Sequence, residues 1–423
     1  MTALTRPAGL SFRLSRRVMA AAAFLVFGLV QVLGFGLYAR HGDTTFAFAP
    51  EFAKVTIPSL ALPAQLTCYV CGGIGLAAGA LRALIPLGRV LRRVTIGLVL
   101  FAFVVALLCW AGAGQPIPVN IVNVLQDTLA ASIPLILGAL AGCMCERSGV
   151  INIAIEGQLL FGAFTAAVAA SFFGALWLGV ILGSLAGGLL GAMLAVFAIR
   201  YLVDQVVLGV VLNVFASGLT GFLYDRALVP YQNSLNSPAT YLPVKIPLLG
   251  DIPIIGPVFF DSTIFLYITY VLLILVQVGL FSTRWGLRIR AVGEHPMAAD
   301  TVGIRVLGTR YSAVIMGGLI AGIGGAYLTI GSVGNFTPDM SSGMGYIALA
   351  ALIFGRWTPF GALAAALLFG FTLELQAVLG SLNVPIPSYI LNMAPYVATI
   401  IAVAGLVGRV RAPAADGRPY VKA

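Results

Sequence analysis

Apolar runs of about 20 residues recur along this chain, and they constrain its fold more than any other feature. A run of that length, coiled as a helix, matches the hydrocarbon core of a bilayer, and a helix keeps its backbone hydrogen bonds within the segment. Such runs fall at residues 18–37, 64–84, 94–113, 121–143, 159–173, 175–199, 203–224, 263–281, 311–330, 359–379 and 389–407. Residues 347–354 are equally apolar but too few to cross, and they read as a half-helix buried against protein. Only 9% of the chain is charged, where a soluble domain carries about a quarter. The expected fold is therefore all-α: a polytopic helical bundle of about 12 membrane segments, the half-helix included.

The distribution of charge gives the expected orientation. Most Lys and Arg fall in loops of one parity: Arg13, Arg16 and Arg17, then Arg82, Arg89, Arg92 and Arg93, then the cluster from Arg284 to Arg310, then the tail. By the positive-inside rule these loops and both termini are cytoplasmic. The net charge of +10 is then a property of topology, with no nucleic-acid partner implied. The N-terminal run follows three arginines as a signal peptide would, but about 20 apolar residues fit a retained signal-anchor helix better. Cys68 and Cys71 form a CxxC inside an apolar run, and His41 and His295 are the only histidines, expected on opposite sides. No metal centre is expected from that set.

The longest charge-bearing stretch between two spanning runs is GLRIRAVGEHPMAADTVGI, residues 286–304. Pro296 at a helix-opening position and Gly303 at a closing one frame a short helix over 297–302. A short capped helix on the cytoplasmic side is a handle for something soluble. A second stretch, ERSGVINIAIEGQLLFGAF at residues 146–164, mixes Asn152, Glu156 and Gln158 with apolar residues and glycines. It suits a chain that bends at the membrane edge and re-enters. Gly183, Gly187 and Gly191, and Gly318 and Gly322, recur at the four-residue spacing that lets helices pack closely.

No GxxxxGK[ST] phosphate loop, HExxH or GxSxG occurs, so neither nucleotide hydrolysis in the P-loop manner nor hydrolase chemistry is expected of this chain. Asp127, Glu156, Asp204 and Glu374 are the acidic residues near membrane depth. Asp204 lies near Arg200 at a cytoplasmic end and Glu156 in a turn, which leaves Asp127 and Glu374 embedded, and for these two an interhelical hydrogen bond is a better account than ion coupling. The uncharged amides of Asn152, Gln158, Asn213 and Asn335 are candidates for a translocation path, because an amide reads a ribose or base edge without the cost of a buried charge.

Four stretches in order, ERSGVINIAIEGQ, PLLGDIPIIGPVFF, the 286–304 stretch and GYIALAALIFGRWTPFGALAAALLFG, resemble the membrane subunit of bacterial ABC importers for nucleosides. More widely they are similar to the branched-chain amino acid and simple-sugar importer permeases, and the tail APAADGRPYVKA is similar to that of nucleoside-importer permeases. The resemblance covers roughly residues 121–423. It implies an inner-membrane permease domain over 121–410, a cytoplasmic tail over 411–423, and an N-terminal extension over 1–120 with three added helices. It further implies no cofactor in this chain, with ATP and Mg on separate ATPase subunits. The implied partners are a second related permease, an extracytoplasmic binding protein and the lipid membrane. Residues 286–304 become the coupling loop, with Glu294, His295, Pro296, Met297, Ala298 and Asp300 facing the ATPase. A simple-sugar importer remains open within the class, and an ion-coupled secondary transporter outside it.

Overall fold

The computed structural model describes residues 16–49, 57–382, 384–391, 393 and 411–422. Among the described residues ten helices are long and apolar enough to cross a membrane, and Met344–Phe354 is a shorter apolar helix. The expected segment at 389–407 lies, beyond its first residues, outside the described residues. The chain divides into two compact units, Met1–Val122 with Val378–Pro385, and Asn123–Ala377 with Ile386–Ala423.

The first unit holds α1 (Arg16–Leu29, extended by a π-helical stretch to Gly36), α2 (Ala64–Leu84) and α3 (Arg89–Gly112). Helix α1 packs along α2, and the Arg17 guanidinium reaches the α2 C-terminal end, donating to the carbonyls of Arg82 and Ala83 at 2.9 and 2.8 Å. A cation there satisfies orphan carbonyls and complements the helix dipole. A small sheet joins the helix ends: β1 (Asp43–Ala47) pairs antiparallel with β2 (Leu60–Pro63) and parallel with β3 (Val119–Asn120). Thr44 anchors it, its Oγ1 donating to the Cys109 carbonyl at 2.7 Å. The all-α expectation thus holds for the spans and not for these loops.

The second unit is built around α4 (Ile121–Glu146), whose spanning window is 89% buried. After it come α5 (Ile155–Phe173), α6 (Leu176–Ala195) and α7 (Gln205–Leu223), with α5 packed against both α6 and α7. Asp204 is the N-cap of α7: its Oδ1 accepts from the N–H groups of Val206 and Val207 at 3.0 and 2.9 Å, which accounts for an acidic residue at that depth. The expected long loop at 225–261 is partly ordered. It carries α8 (Gln232–Leu235), β4 (Val244–Lys245), α9 (Ile255–Phe260) and β5 (Asp261–Ser262), with β4 and β5 paired antiparallel.

The chain continues through α10 (Ile264–Ser282), α11 (Arg284–Glu294), α12 (Pro296–Thr301), α13 (Val306–Ala326), α14 (Met344–Phe354), α15 (Pro359–Ser381) and α16 (Ser388–Leu391). Helices α6 and α13 meet along the glycine rows seen in the sequence. A Cβ on Gly187 would stand 2.6 Å from the Gly322 Cα, and one on Gly322 would stand 2.8 Å from the Ser184 carbonyl oxygen. Backbone therefore lies on backbone, the geometry small residues permit in a bilayer. With 11 residues, α14 is about 16 Å long, half a membrane thickness, as its short apolar run predicts.

Candidate functional site

The connection from α10 to α13 builds the first candidate site. Thr283 caps α11, its Oγ1 accepting from the Gly286 N–H at 3.1 Å and donating to the Gly279 carbonyl at 2.7 Å. Helix α11 turns Gly286, Ile289, Val292 and Gly293 inward, while Arg288 and Leu287 face out. The chain breaks at His295 and restarts at Pro296, which needs no N–H at that position. Helix α12 covers 296–301, one residue earlier than the sequence suggests, and Gly303 at φ +84° ends the turn in the left-handed region that favours glycine.

Of its residues, Glu294, His295, Met297 and Ala298 are exposed, Pro296 and Asp300 are half-buried, and Ala299 faces the protein. Met297 is 69% exposed, and Val302 just beyond α12 is exposed as well, so apolar side chains are held out on this short connection. Behind α12, the Arg290 and Arg147 guanidinium groups lie over the Phe281 ring at 5.1 and 5.3 Å. Arg147 also donates from Nε to the Trp357 carbonyl at 2.8 Å, and the Trp357 indole N–H donates to the Glu146 carboxylate. Burial pulls the Arg147 pKa below its ordinary value, against the opposing charge of Glu294. Burial likewise pushes the Asp416 carboxyl up to about 7, outweighing the Gly417 backbone N–H and the Arg310 guanidinium.

The second candidate site is a cavity of about 240 Å³ bounded by α5, α7 and the turn that precedes α14. Glu156, in the first turn of α5, caps α14 from a distance in sequence. Its Oε1 accepts from the Gly343 N–H at 2.8 Å and the Ser341 hydroxyl at 2.6 Å, and its Oε2 from the Gly345 N–H at 2.6 Å. A carboxylate at a helix N-terminus satisfies orphan donors and complements the dipole. Asn213 on α7 accepts from the Gly157 N–H at 2.8 Å and donates to the Ile153 carbonyl and the Tyr346 hydroxyl, both at 3.0 Å. Ser217 donates to Asp339 at 2.6 Å. Asp339 and Ser342 have φ of +53° and +46°, sparsely populated conformations held by this turn.

Of the amides expected along a path, Asn213 lines the cavity. Asn152 and Gln158 are fully buried and hydrogen-bond to each other at 3.1 Å, so they tie the α4–α5 turn together. Asn335 lies in the turn after α13 and is not among the cavity-lining residues. Glu156, Ser217, Asp339, Ser341 and Tyr346 were not legible as a site. Glu156 stood out only as an acidic residue in an apolar stretch, and its partners lie about 185 residues on. Among the described residues, no group of three His, Cys, Asp or Glu side chains could hold a metal ion.

Ten long apolar helices, two of them packed backbone to backbone on a glycine seam and three of the chain's elements bounding an open cavity, define a multi-pass membrane protein. Residues 124–407 match the family described as branched-chain amino acid transport system / permease component. The chain belongs to that family; it is a transport component of the bacterial inner membrane and not an enzyme. Over 71% of its length it is 44% identical to the guanosine ABC transporter permease protein NupQ of Bacillus subtilis, covering 96% of that protein. Over 72% it is 40% identical to the nucleoside ABC transporter permease protein NupC of Lactococcus lactis, covering 99% of it. A putative glucose ABC transporter permease protein, TsgC13 of Haloferax volcanii, is 33% identical over 60% of this chain and 77% of its own. No solved structure matches.

Proposed function

We propose that this chain is the permease subunit of an ATP-driven importer of nucleosides. The observation that carries the reading is the near full-length similarity to two permeases named for guanosine and nucleosides, with the glucose-named relative weaker in identity and coverage. In this reading ATPase subunits, holding ATP and Mg, seat α12 in a groove. Met297 and Ala298 enter that groove, Glu294, His295 and Asp300 make polar contacts around it, and Pro296 sets the helix start. A second, related permease completes the translocation pathway, and an extracytoplasmic binding protein delivers substrate. Both termini face the cytoplasm, residues 121–410 form the permease domain, 411–423 its tail and 1–120 a peripheral extension.

The cavity chemistry supports a polyhydroxylated, uncharged substrate. Asp339 and Ser217 bring acceptors suited to sugar hydroxyls, and Tyr346 brings a ring that a base can stack against. Chemical energy enters elsewhere, because a ligand or partner shifts a two-state equilibrium only through different contacts in the two states. Here those contacts lie at α12. The test is uptake by vesicles holding this permease with its partner permease, ATPases and binding protein: ATP-dependent accumulation of nucleoside, not competed by glucose, is expected. Accumulation by vesicles holding this subunit alone, driven by a proton or sodium gradient and indifferent to ATP, overturns the reading in favour of a secondary transporter.

A further inference from the structure

Residues 411–422 are rich in Ala, Pro and charge. A segment of that composition gains little by folding alone, since ordering each residue costs conformational entropy. It is nevertheless anchored at several points: some lie against the turn between α4 and α5, at Gly149 and Ile151, and the rest surround α12. The Ala415 N–H donates to the Gly293 carbonyl at 2.9 Å, and the Ala414 N–H to the Glu294 carboxylate at 3.2 Å, both at the end of α11. On the other side, Arg310 near the foot of α13 is 1% exposed and donates from Nη1 to the Arg418 carbonyl at 3.0 Å. Between them Tyr420, 7% exposed, packs with Val292 of α11, Ala299 of α12 and Val306 of α13. Lys422 stands 4.0 Å from the Asp300 carboxylate.

The helix these anchors surround cannot hold itself. Six residues are well short of what an isolated helix needs, and α12 is bounded by a non-helical His295 and a left-handed Gly303. Both ends are joints at which a push on α12 could be absorbed. We propose that residues 411–422 are a strap that fixes α12 to the feet of α11 and α13, so that displacement of α12 moves the membrane helices. Tyr420 and Arg310 are its positioning residues: Tyr420 fills the space the three helices share, and Arg310 holds the strap down. The identity of the pushing partner, an ATPase subunit, rests on the function proposed above; the strap itself does not.

Hydrogen exchange on the full-length permease in lipid nanodiscs tests the strap without any partner. The amides of Ala299 and Ile304, bonded to the His295 and Ala299 carbonyls, are expected to exchange about tenfold faster or more in Tyr420→Ala. In Tyr420→Phe, which keeps the ring and loses only the hydroxyl that faces Asp300, the acceleration is expected to stay well below that of Tyr420→Ala. Unchanged exchange in Tyr420→Ala overturns the proposal. In the assembled transporter, Tyr420→Ala is expected to keep its ATPases bound while nucleoside moved per ATP falls about tenfold, with a smaller fall in Tyr420→Phe. Loss of the ATPases from the Tyr420→Ala complex would make the tail a docking surface and overturn the strap. Should the wild-type assembly show no ATP-dependent uptake, the importer reading fails, and the exchange result still decides the strap.

Discussion

Replacing Glu156 with Gln tests whether the polar cavity depends on a carboxylate acting across the fold. The side chain accepts three hydrogen bonds, from Gly343, Ser341 and Gly345, at 2.8, 2.6 and 2.6 Å. Glutamine has one acceptor oxygen. Turned to keep Gly343 and Ser341, it sets an amide N–H₂ against the Gly345 N–H, so one charge-assisted bond is lost and a donor is left facing a donor. A hydrogen bond to a charged group contributes about 1.5–3 kcal/mol, and the charge at the helix end about 0.3–1 kcal/mol more. Glu156 is half-buried beside an open cavity, where water recovers part of that, so about 2 kcal/mol is the expected cost. That corresponds to about a 30-fold rise in the undocked population of the α14 start. Hydrogen exchange over residues 343–347 reads it directly, and uptake by the reconstituted transporter should fall in step. Exchange and uptake both within about twofold of wild type would refute the capping role.

Met297→Glu with Ala298→Arg places charge and bulk on the exposed face of α12; membrane insertion and thermal stability should be unchanged while ATP-dependent uptake is abolished. Wild-type coupling in that variant would remove α12 as the docking element. Gly322→Ala puts a methyl within 2.9 Å of the Ser184 Cα on the facing backbone, so the α6–α13 seam must separate, at about 1–3 kcal/mol and a lowered melting temperature in detergent. An unshifted melting temperature would mean the seam has slack. The raised Asp416 carboxyl faces Arg310, Glu146 and Cys145. The contribution of Asp416 to docking of the tail is therefore present in full below the free carboxyl's pKa of about 4 and is lost as pH rises through about 7, so the docked tail loosens over that range. A nitroxide placed by Val421→Cys, at an exposed site, should become more mobile between about pH 5 and about pH 8, and constant mobility would refute the assignment.

Spans were legible because lipid imposes a length and a composition that survive in any tertiary context. The row of Gly183, Gly187, Gly318 and Gly322 was legible because close helix packing has a local period, and α12 because Pro296 and Gly303 punctuate it. The cavity was not. Asn213, singled out by its chemistry alone, lines the cavity, whereas Asn152 and Gln158 have the same chemistry and hydrogen-bond to each other. What separates them is which side of α5 and α7 faces the turn at 335–343, a matter of packing that no local pattern encodes. Glu156 illustrates the same limit: a carboxylate that caps a helix in another part of the chain leaves no capping signature around itself.

The same packing argues that the cavity and the foot of α13 cannot move independently. Gly162 on α5 meets the Gly322 backbone of α13, where a Cβ would stand 2.6 Å from the carbonyl oxygen, and Gly183 on α6 would meet the Gly162 carbonyl at 2.8 Å. With backbone against backbone at these pairs, little side-chain volume lies there to repack, and interiors at native density transmit displacement. A shift applied near Arg310 at the foot of α13 therefore reaches the N-terminal end of α5. There Glu156 is bonded to a turn whose Asp339, Ser342 and Gly343 already hold φ of +53°, +46° and +82°. Left-handed residues in series are where a chain changes direction at least cost in packing, so the turn at 335–343 is where the difference in motion between this block and α14 must be taken up. The hydrogen bond from Asn213 to Tyr346, 3.0 Å across the cavity, spans that boundary. Its length should track access to the cavity more closely than any contact inside the three-helix block.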